Sequence, residues 1–348
     1  MTSRALIVWA AVLLAVGAQA ADDFAIRVYP VPKIDGKLTL DGELAEAAWQ
    51  TAPLVSGFTG YEDNKLGEVQ TGFRVLYDEQ YLYFGIHCDE PNMARLQPLR
   101  VPRDEHGIFR TEMVELFLDP GHSHDLYYQL AFNVAGSLYD GERENVQWNS
   151  EAVVATHLGK DFWSVELAMP WSRLGGAATA GRMLGFNVNR TRHLGTGSEY
   201  MTWTQVQGAF HDPMRFAHLA LSGTPEMIGK LGAELRKGDR SGPIQVYSAE
   251  GFSQQSYSQL AAAALADLDG LVNGLATVAA QEKSAAAATE LGRRVAEHRA
   301  QVGQFRKRME GKLDAAAWSR LEVEMQKMKV LLSTVVWDAR LSALLSGF

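Results

Sequence analysis

From about Phe24 to Ser222, apolar residues recur with a period of two. In TGFRVLYDEQYLYFGIHCDEP, Phe73, Val75 and Tyr77 share one face, and Leu82, Phe84, Ile86 and Cys88 answer them on the returning strand. Such alternation predicts a half-buried hairpin. WSVELAMPW, MLGFNVNRTR and YMTWTQV read as further strands. Asp35-Gly36, Asp41-Gly42, Asp119-Pro120-Gly121 and Asp140-Gly141 supply turns between strands. Many short strands at this spacing predict a mainly β sandwich or jelly roll over residues 24–222. One helix is expected inside it, over Gly42–Trp49 (GELAEAAW).

From about Gln255 the period changes. Leu260, Ala264, Leu268, Leu271, Leu275 and Val278 keep a 3/4 spacing, as do Leu291, Val295, His298, Val302, Phe305 and Met309. A third series runs through Trp318, Leu321, Met325, Met328, Leu332, Val335 and Ala339. Residues 255–348 are therefore expected to form an all-α antiparallel hairpin, three-helix bundle or coiled-coil region. Between the two halves, residues 223–254 (with GDRSGP at Gly238–Pro243) read as a linker carrying a short helix.

MTSRALIVWAAVLLAVGAQA has an early Arg, an apolar run from Ala5 to Val16 and Ala18-x-Ala20. These features predict a signal peptide (1–20) cut near Ala20, and hence a periplasmic or extracellular chain. No later stretch reads as a membrane span. Cys88 is the single cysteine, which excludes an internal disulfide and a cysteine-based zinc site. Loss of Arg4 with the signal leaves 32 basic side chains against 41 acidic ones. That balance argues against nucleic acid as a partner and suits a neutral ligand.

The densest chemistry lies in RTEMVELFLDPGHSHDLYYQL, Arg110–Leu130. Alternation sends Val114, Leu116 and Leu118 to one face and Glu115, Phe117 and Asp119 to the other. On the partner strand Gln129, Ala131 and Asn133 oppose an apolar face, so Glu115, Gln129 and Asn133 are candidates for a polar ligand floor. Glu112 and Glu115, three apart, fall on opposite faces and cannot serve as a hydrolase carboxylate pair across one bond. His122, His124 and Asp125 fall in a turn, where they either bind a metal or stay solvated. Trp49 and Trp171 read as structural plugs. Trp148 and Trp203 are either core or stacking platforms for a ligand.

The order of KIDGKLTLDGELAEAAWQTA, VLYDEQYLYFGIHCDEP, RTEMVELFLDPG, YYQLAFNVAGSLYDG, FWSVELAMPW, LGFNVNRTR and FHDPMRFAHLAL resembles carbohydrate-binding module family 9. The resemblance covers roughly Val31 to Leu221 and leaves out the helical region. It implies a sandwich that holds a sugar between two aromatic rings above polar side chains, since sugar C–H faces stack on rings while hydroxyls need fixed partners. On this chain the rings fall at Phe109 and Phe210, the acceptor glutamate at Glu115, and the asparagine beside the second ring at Gln207. The family's strand arginine falls at Ala131, so Asn133, Arg190 or Arg192 are candidate replacements. The implied function is non-catalytic binding of a mono- or oligosaccharide or a polysaccharide chain end, linked to polysaccharide capture or catabolism. Alternatives are an accessory subunit or part of a glycoside hydrolase, or a scaffold or haem-binding sandwich used in assembly or electron transfer. Loop oxygens of the family can hold structural calcium. Haem-type ligands are present as Met93, Met113, Met169, His87 and His106, and the helices are a candidate protein-binding region.

Overall fold

The computed structural model describes residues 25–143, 145–193, 195–206, 209–224, 227, 244–247, 257–310 and 315–345. The expected signal peptide, Gln207 and most of 223–254, including its short helix, lie outside them.

The period-two segments form two sheets. The larger has the order β13 (Ile244–Val246), β1 (Ile26–Val31), β12 (Ala217–Leu221), β10 (Met183–His193), β5 (Met113–Asp119), β6 (Tyr128–Asn133) and β7 (Leu138–Glu142). The first half of β10 pairs with β12, and its second half with β11 (Ser198–Thr202), which in turn pairs with β2 (Thr59–Gly60). The smaller sheet has the order β3 (Thr71–Tyr77), β4 (Tyr81–Asp89), β9 (Phe162–Pro170) and β8 (Val153–Leu158). Between the sheets, Val114, Leu116, Leu118, Leu130 and Phe132 share one buried core with Phe73, Val75, Phe84, Ile86, Val165 and Leu167. The expected β3–β4 hairpin is present, with Phe73 opposite Ile86 and Val75 opposite Phe84.

The helix expected over Gly42–Trp49 is reduced to a 3-10 turn at Ala47–Thr51. A buried carboxylate competes with it. Glu166 Oε2 accepts from the backbone N–H of Asp41 and of Gly42, both at 2.8 Å, and Oε1 accepts from Trp49 Nε1 at 2.8 Å. Gly42 has φ of +88°, and a Cβ there would lie 2.5 Å from the backbone of Thr156. The segment is thus pulled against the smaller sheet instead of coiling. Trp49 and Trp171 are both buried plugs, as expected.

The sandwich also continues into the segment expected to be a linker. β13 pairs in parallel with β1, on the side away from β12. Tyr247 follows it, fully buried, with its ring 5.3 Å from that of Trp203.

The 3/4-spaced series form α1 (Tyr257–Gln281), α2 (Ala285–Arg308) and α3 (Ala315–Leu345). α1 packs on both others. Leu268, Val272 and Leu275 of α1, Val295 and Val302 of α2, and Leu321, Met325, Leu332 and Val336 of α3 are buried. Asp269–Arg306 (2.7 Å) ties α1 to α2, and Asp267–Lys329 (2.8 Å) ties α1 to α3. Ala262–Gln281 is long and apolar enough to cross a membrane by length and composition, against the expectation that no stretch after the first twenty residues is. In the structure its Leu268–Val272–Leu275 stripe faces the other helices. Val330, Trp337 and Leu341 of α3 stand exposed.

If residues 244–247 belong to the sandwich, Tyr247→Ala empties a core position. Its urea unfolding free energy is expected to fall by about 3–5 kcal/mol, as for a buried aromatic; a segment merely linking two regions would leave it unchanged.

Candidate functional site

β5 is buried on both faces. Its inward side chains enter the sandwich core. Its outward ones, Met113, Glu115 and Phe117, meet neighbours in register across the sheet. Glu115 lies opposite Ala131 and Asn189, Met113 opposite Thr191, and Phe117 opposite Gln129 and Asn187. Above this strip opens a cleft of about 570 Å³. Its floor is formed by Met113, Glu115, Gln129 and Thr191.

Aromatic groups border it on either side. On the β6–β7 side stand His106, Phe109 and Tyr139. A short 3-10 turn, His106–Arg110, carries Phe109 to within 4.9 Å of Tyr139, and His106 packs on both rings. On the β11–β2 side stand Tyr61, Tyr200, Phe210 and His211. Tyr61 meets Phe210 at 5.4 Å and Tyr200 at 5.8 Å, and its backbone N–H donates to Tyr200 O. His211 Nδ1 and Tyr127 Oη are 2.8 Å apart, which fixes the loop behind Phe210. The order of strands, with Tyr139 on β7 and Tyr200 on β11, places the two groups on opposite sides of the floor.

Glu115 dominates the electrostatics of the floor. Gln129 Nε2 donates to its Oε2 at 2.6 Å, and the described lining contains neither Lys nor Arg. Burial pushes the carboxyl up to about 7, and the Gln129 hydrogen bond only partly opposes that. Beside it, Asn189 Nδ2 and Thr191 Oγ1 are buried without a hydrogen-bond partner among the described residues. Buried polar groups are normally satisfied, and of these two Thr191 lines the cleft and offers hydrogen-bonding capacity next to an acceptor. The floor can therefore donate to and accept from a hydroxylated ligand, while the rings on each side cover its apolar faces.

Residues 40–224 match the family described as carbohydrate family 9 binding domain-like. The chain belongs to that family. Among solved structures it is similar to a carbohydrate-binding module family 9 from Caldicellulosiruptor kristjanssonii in complex with cellotriose. The identity there is 16% and the TM-score 0.41, over 58% of this chain and 95% of that one. It is also similar to a family 9 module from the same organism in complex with glucose, at 16% identity and TM-score 0.43, over 58% of this chain and 97% of that one. No curated protein matches the chain.

Three residues assigned from the family resemblance, Phe109, Glu115 and Phe210, meet in the cleft. Three others do not line it. Asn133 is buried in its own turn, where Oδ1 accepts from the backbone of Ala135 and Ser137 and Nδ2 donates to Leu99 O. Arg190 and Arg192 do share a face, but it is the inward one, since Arg190 lies opposite Val114. Arg190 is fully buried and donates to Glu112 Oε1 (2.9 Å) and Asp89 O (2.9 Å). Arg192 donates to Glu90 and Glu199. The bonds to Asp89 and Glu90 reach the end of β4 in the other sheet, and all of them hold both arginines and Glu112 away from the cleft. Ala131 is buried among Ile108, Met113 and Tyr139, and among the described residues no cation stands there in place of the arginine that the resemblance implies.

Tyr61, Tyr139, Thr191, Tyr200 and His211 were not singled out as site residues by the sequence, and His106 was named only as a haem-type ligand. Gln129 was, through its alternation with Glu115. Trp203 is core, and Trp148 stacks flat on Tyr128 at 4.0 Å.

Among the described residues Asp41, Glu46 and Glu166 bring carboxylate oxygens within 4.8 Å of one another. Glu166 already accepts three hydrogen bonds there, so this set braces the Asp41–Trp49 segment and does not fit a calcium cage of six to eight free oxygens. Of the haem-type ligands, His106 and Met113 line the cleft, Met113 in its floor and His106 beside Phe109. Met169 is core, and His87 stacks on Phe162.

Glu115 keeps its proton to about pH 7 in the folded chain but only to about 4.3 when unfolded. A raised carboxyl pKa stabilises most below the unfolded value, and that contribution is lost as pH rises through 7. Between pH 4.5 and 8 the wild type should therefore lose about 3 kcal/mol relative to Glu115→Gln in denaturant titrations. A constant difference across that range would show that the carboxyl is not raised.

Proposed function

We propose that this protein is a non-catalytic carbohydrate-binding protein that takes a mono- or oligosaccharide, or a polysaccharide chain end, into the cleft above β5. The observation that carries the reading is the convergence of Phe109, Glu115 and Phe210 on one open cleft in a chain of this family. The sugar ring lies between the Phe109–Tyr139 and Phe210–Tyr61 groups, and its hydroxyls bond Glu115, Gln129 and Thr191. Glu115 is the only carboxylate among the described lining residues. Hydrolysis by a pair of carboxylates therefore has less support than binding.

We place the protein outside the cytoplasm, on the strength of the first twenty residues, where it captures polysaccharide fragments for catabolism. The helical region is proposed to contact a protein partner through the exposed Val330, Trp337 and Leu341.

Calorimetry with glucose and cellotriose tests the binding reading. Saturable binding is expected, with Phe109→Ala and Phe210→Ala each weakening it at least about tenfold, since stacking on an aromatic ring contributes roughly 1–3 kcal/mol. Because the sugar is not fixed by the sequence, a glycan array accompanies the titrations. No binding on the array and none at millimolar concentration in calorimetry would overturn the proposal.

A further inference from the structure

The described lining of the cleft holds a carboxyl group and no Lys or Arg to balance it. Resting on the reading of the cleft as a sugar site, we propose that its preferred ligand is an amino sugar, a hexosamine whose ammonium group sits against Glu115.

Glu115 is buried in the middle of β5, and the groups that face it across the sheet are uncharged. Its neighbours in register are Ala131 on β6 and Asn189 on β10. Met113 and Phe117 flank it on its own strand, with Asn133 and Thr191 opposite Met113, and Gln129 and Asn187 opposite Phe117. The arginines of β10 point into the sandwich, where Glu90 and Glu112 neutralise them. The basic groups of the described lining are two imidazoles. His106 packs on Phe109 and Tyr139, and His211 Nδ1 is 2.8 Å from Tyr127 Oη. One oxygen of Glu115, Oε2, accepts from Gln129 Nε2 at 2.6 Å, while Oε1 accepts no hydrogen bond among the described residues.

The rings act in the same sense. Tyr61, Phe109, Tyr139, Tyr200 and Phe210 line the cleft, and the face of an aromatic ring is the negative end of its quadrupole. A cation within about 6 Å of such a face is attracted to it, more strongly once water is excluded. The formal net charge of the chain, -8, also draws cations toward it.

A neutral sugar in this cleft takes more water from Glu115 and brings no counter-charge. An ammonium in place of one hydroxyl supplies that charge on the ligand, and one of its N–H groups donates to Glu115 Oε1. Hydrogen bonds between charged groups are stronger than neutral ones. The rest of the sugar still stacks on the rings, and its hydroxyls meet Gln129 and Thr191, whose Oγ1 is buried without a partner among the described residues. Burial holds the Glu115 carboxyl at about 7. An opposite charge in contact favours its ionised form, so amino-sugar binding below neutrality releases the Glu115 proton to the buffer. A quaternary ammonium would offer no N–H to Oε1, and an acetylated amine would carry no charge.

The test is calorimetry on the full chain with glucose, glucosamine and N-acetylglucosamine, at about pH 6.5, below the pKa of an ordinary amine. The three sugars share one ring and differ at one substituent. Glucosamine is expected to bind at least about tenfold more tightly than glucose, and N-acetylglucosamine to lose that gain. The heat with glucosamine should vary with the ionisation enthalpy of the buffer, and the heat with glucose should not. Glu115→Gln should weaken glucosamine at least about tenfold more than it weakens glucose, a difference that a general loss of structure would not produce. Equal affinity for glucose and glucosamine, an equal gain with N-acetylglucosamine, or a preference that survives Glu115→Gln would each overturn the inference and leave the sugar reading in place. Binding of none of the three at millimolar concentration would overturn it too, and a silent glycan array would then remove the sugar reading as well.

Discussion

The site depends on one constraint: β5 is buried on both faces, and its pleat must satisfy both at once. Its inward row is apolar and joins the sandwich core. Its outward row carries Glu115 between Met113 and Phe117. A shift of one residue would exchange the rows, putting a carboxylate into the core and leucines under the cleft. Register is therefore fixed by burial energy on the inner side, and the chemistry of the outer side is positioned as a result. Ligand-facing groups sit on strands that cannot slide, while the rings beside them arrive on the 3-10 turn at Phe109 and the loop at Phe210.

The same pleat explains the arginines. Successive residues of β10 alternate between the cleft side, with Asn189 and Thr191, and the interior, with Arg190 and Arg192. The interior pair lies where the apolar core gives way to the sandwich end. There Glu90 and Glu112 neutralise them, and Arg95 also pairs with Glu90. Buried charges persist when they are paired and hydrogen-bonded, and these pairs connect β4 of one sheet to β5 and β10 of the other. The described lining of the cleft has no cation, which is why burial sets the proton affinity of Glu115.

Much of this was legible in the sequence, for identifiable reasons. Alternation placed Val114, Leu116 and Leu118 in the core and Glu115 and Gln129 opposite them, because period two is a local property. Motif order located Phe109 and Phe210. Alternation also showed that Arg190 and Arg192 share a face, but it cannot say which face is inward without the registers of both neighbouring strands. Asn133 looked like floor because its turn-capping bonds depend on the path of the chain after β6. Tyr61, Tyr139 and Tyr200 come from three distant segments whose meeting is a tertiary event. The Gly42–Trp49 helix failed because its competitor, Glu166, lies far along the chain.

The position of β1 has a consequence for how the chain reaches this structure. Val28 meets His218 on one side and Val246 on the other. The first strand of the sandwich is thus held between two of its last, in parallel pairings that no hairpin can nucleate. Loop-closure entropy must be met before either contact forms, and high contact order slows folding. During synthesis β1 waits, with one apolar face and both edges unpaired, until nearly all of the sandwich has been made. Completion of the larger sheet is therefore a late, concerted event that closes the fold around its own beginning.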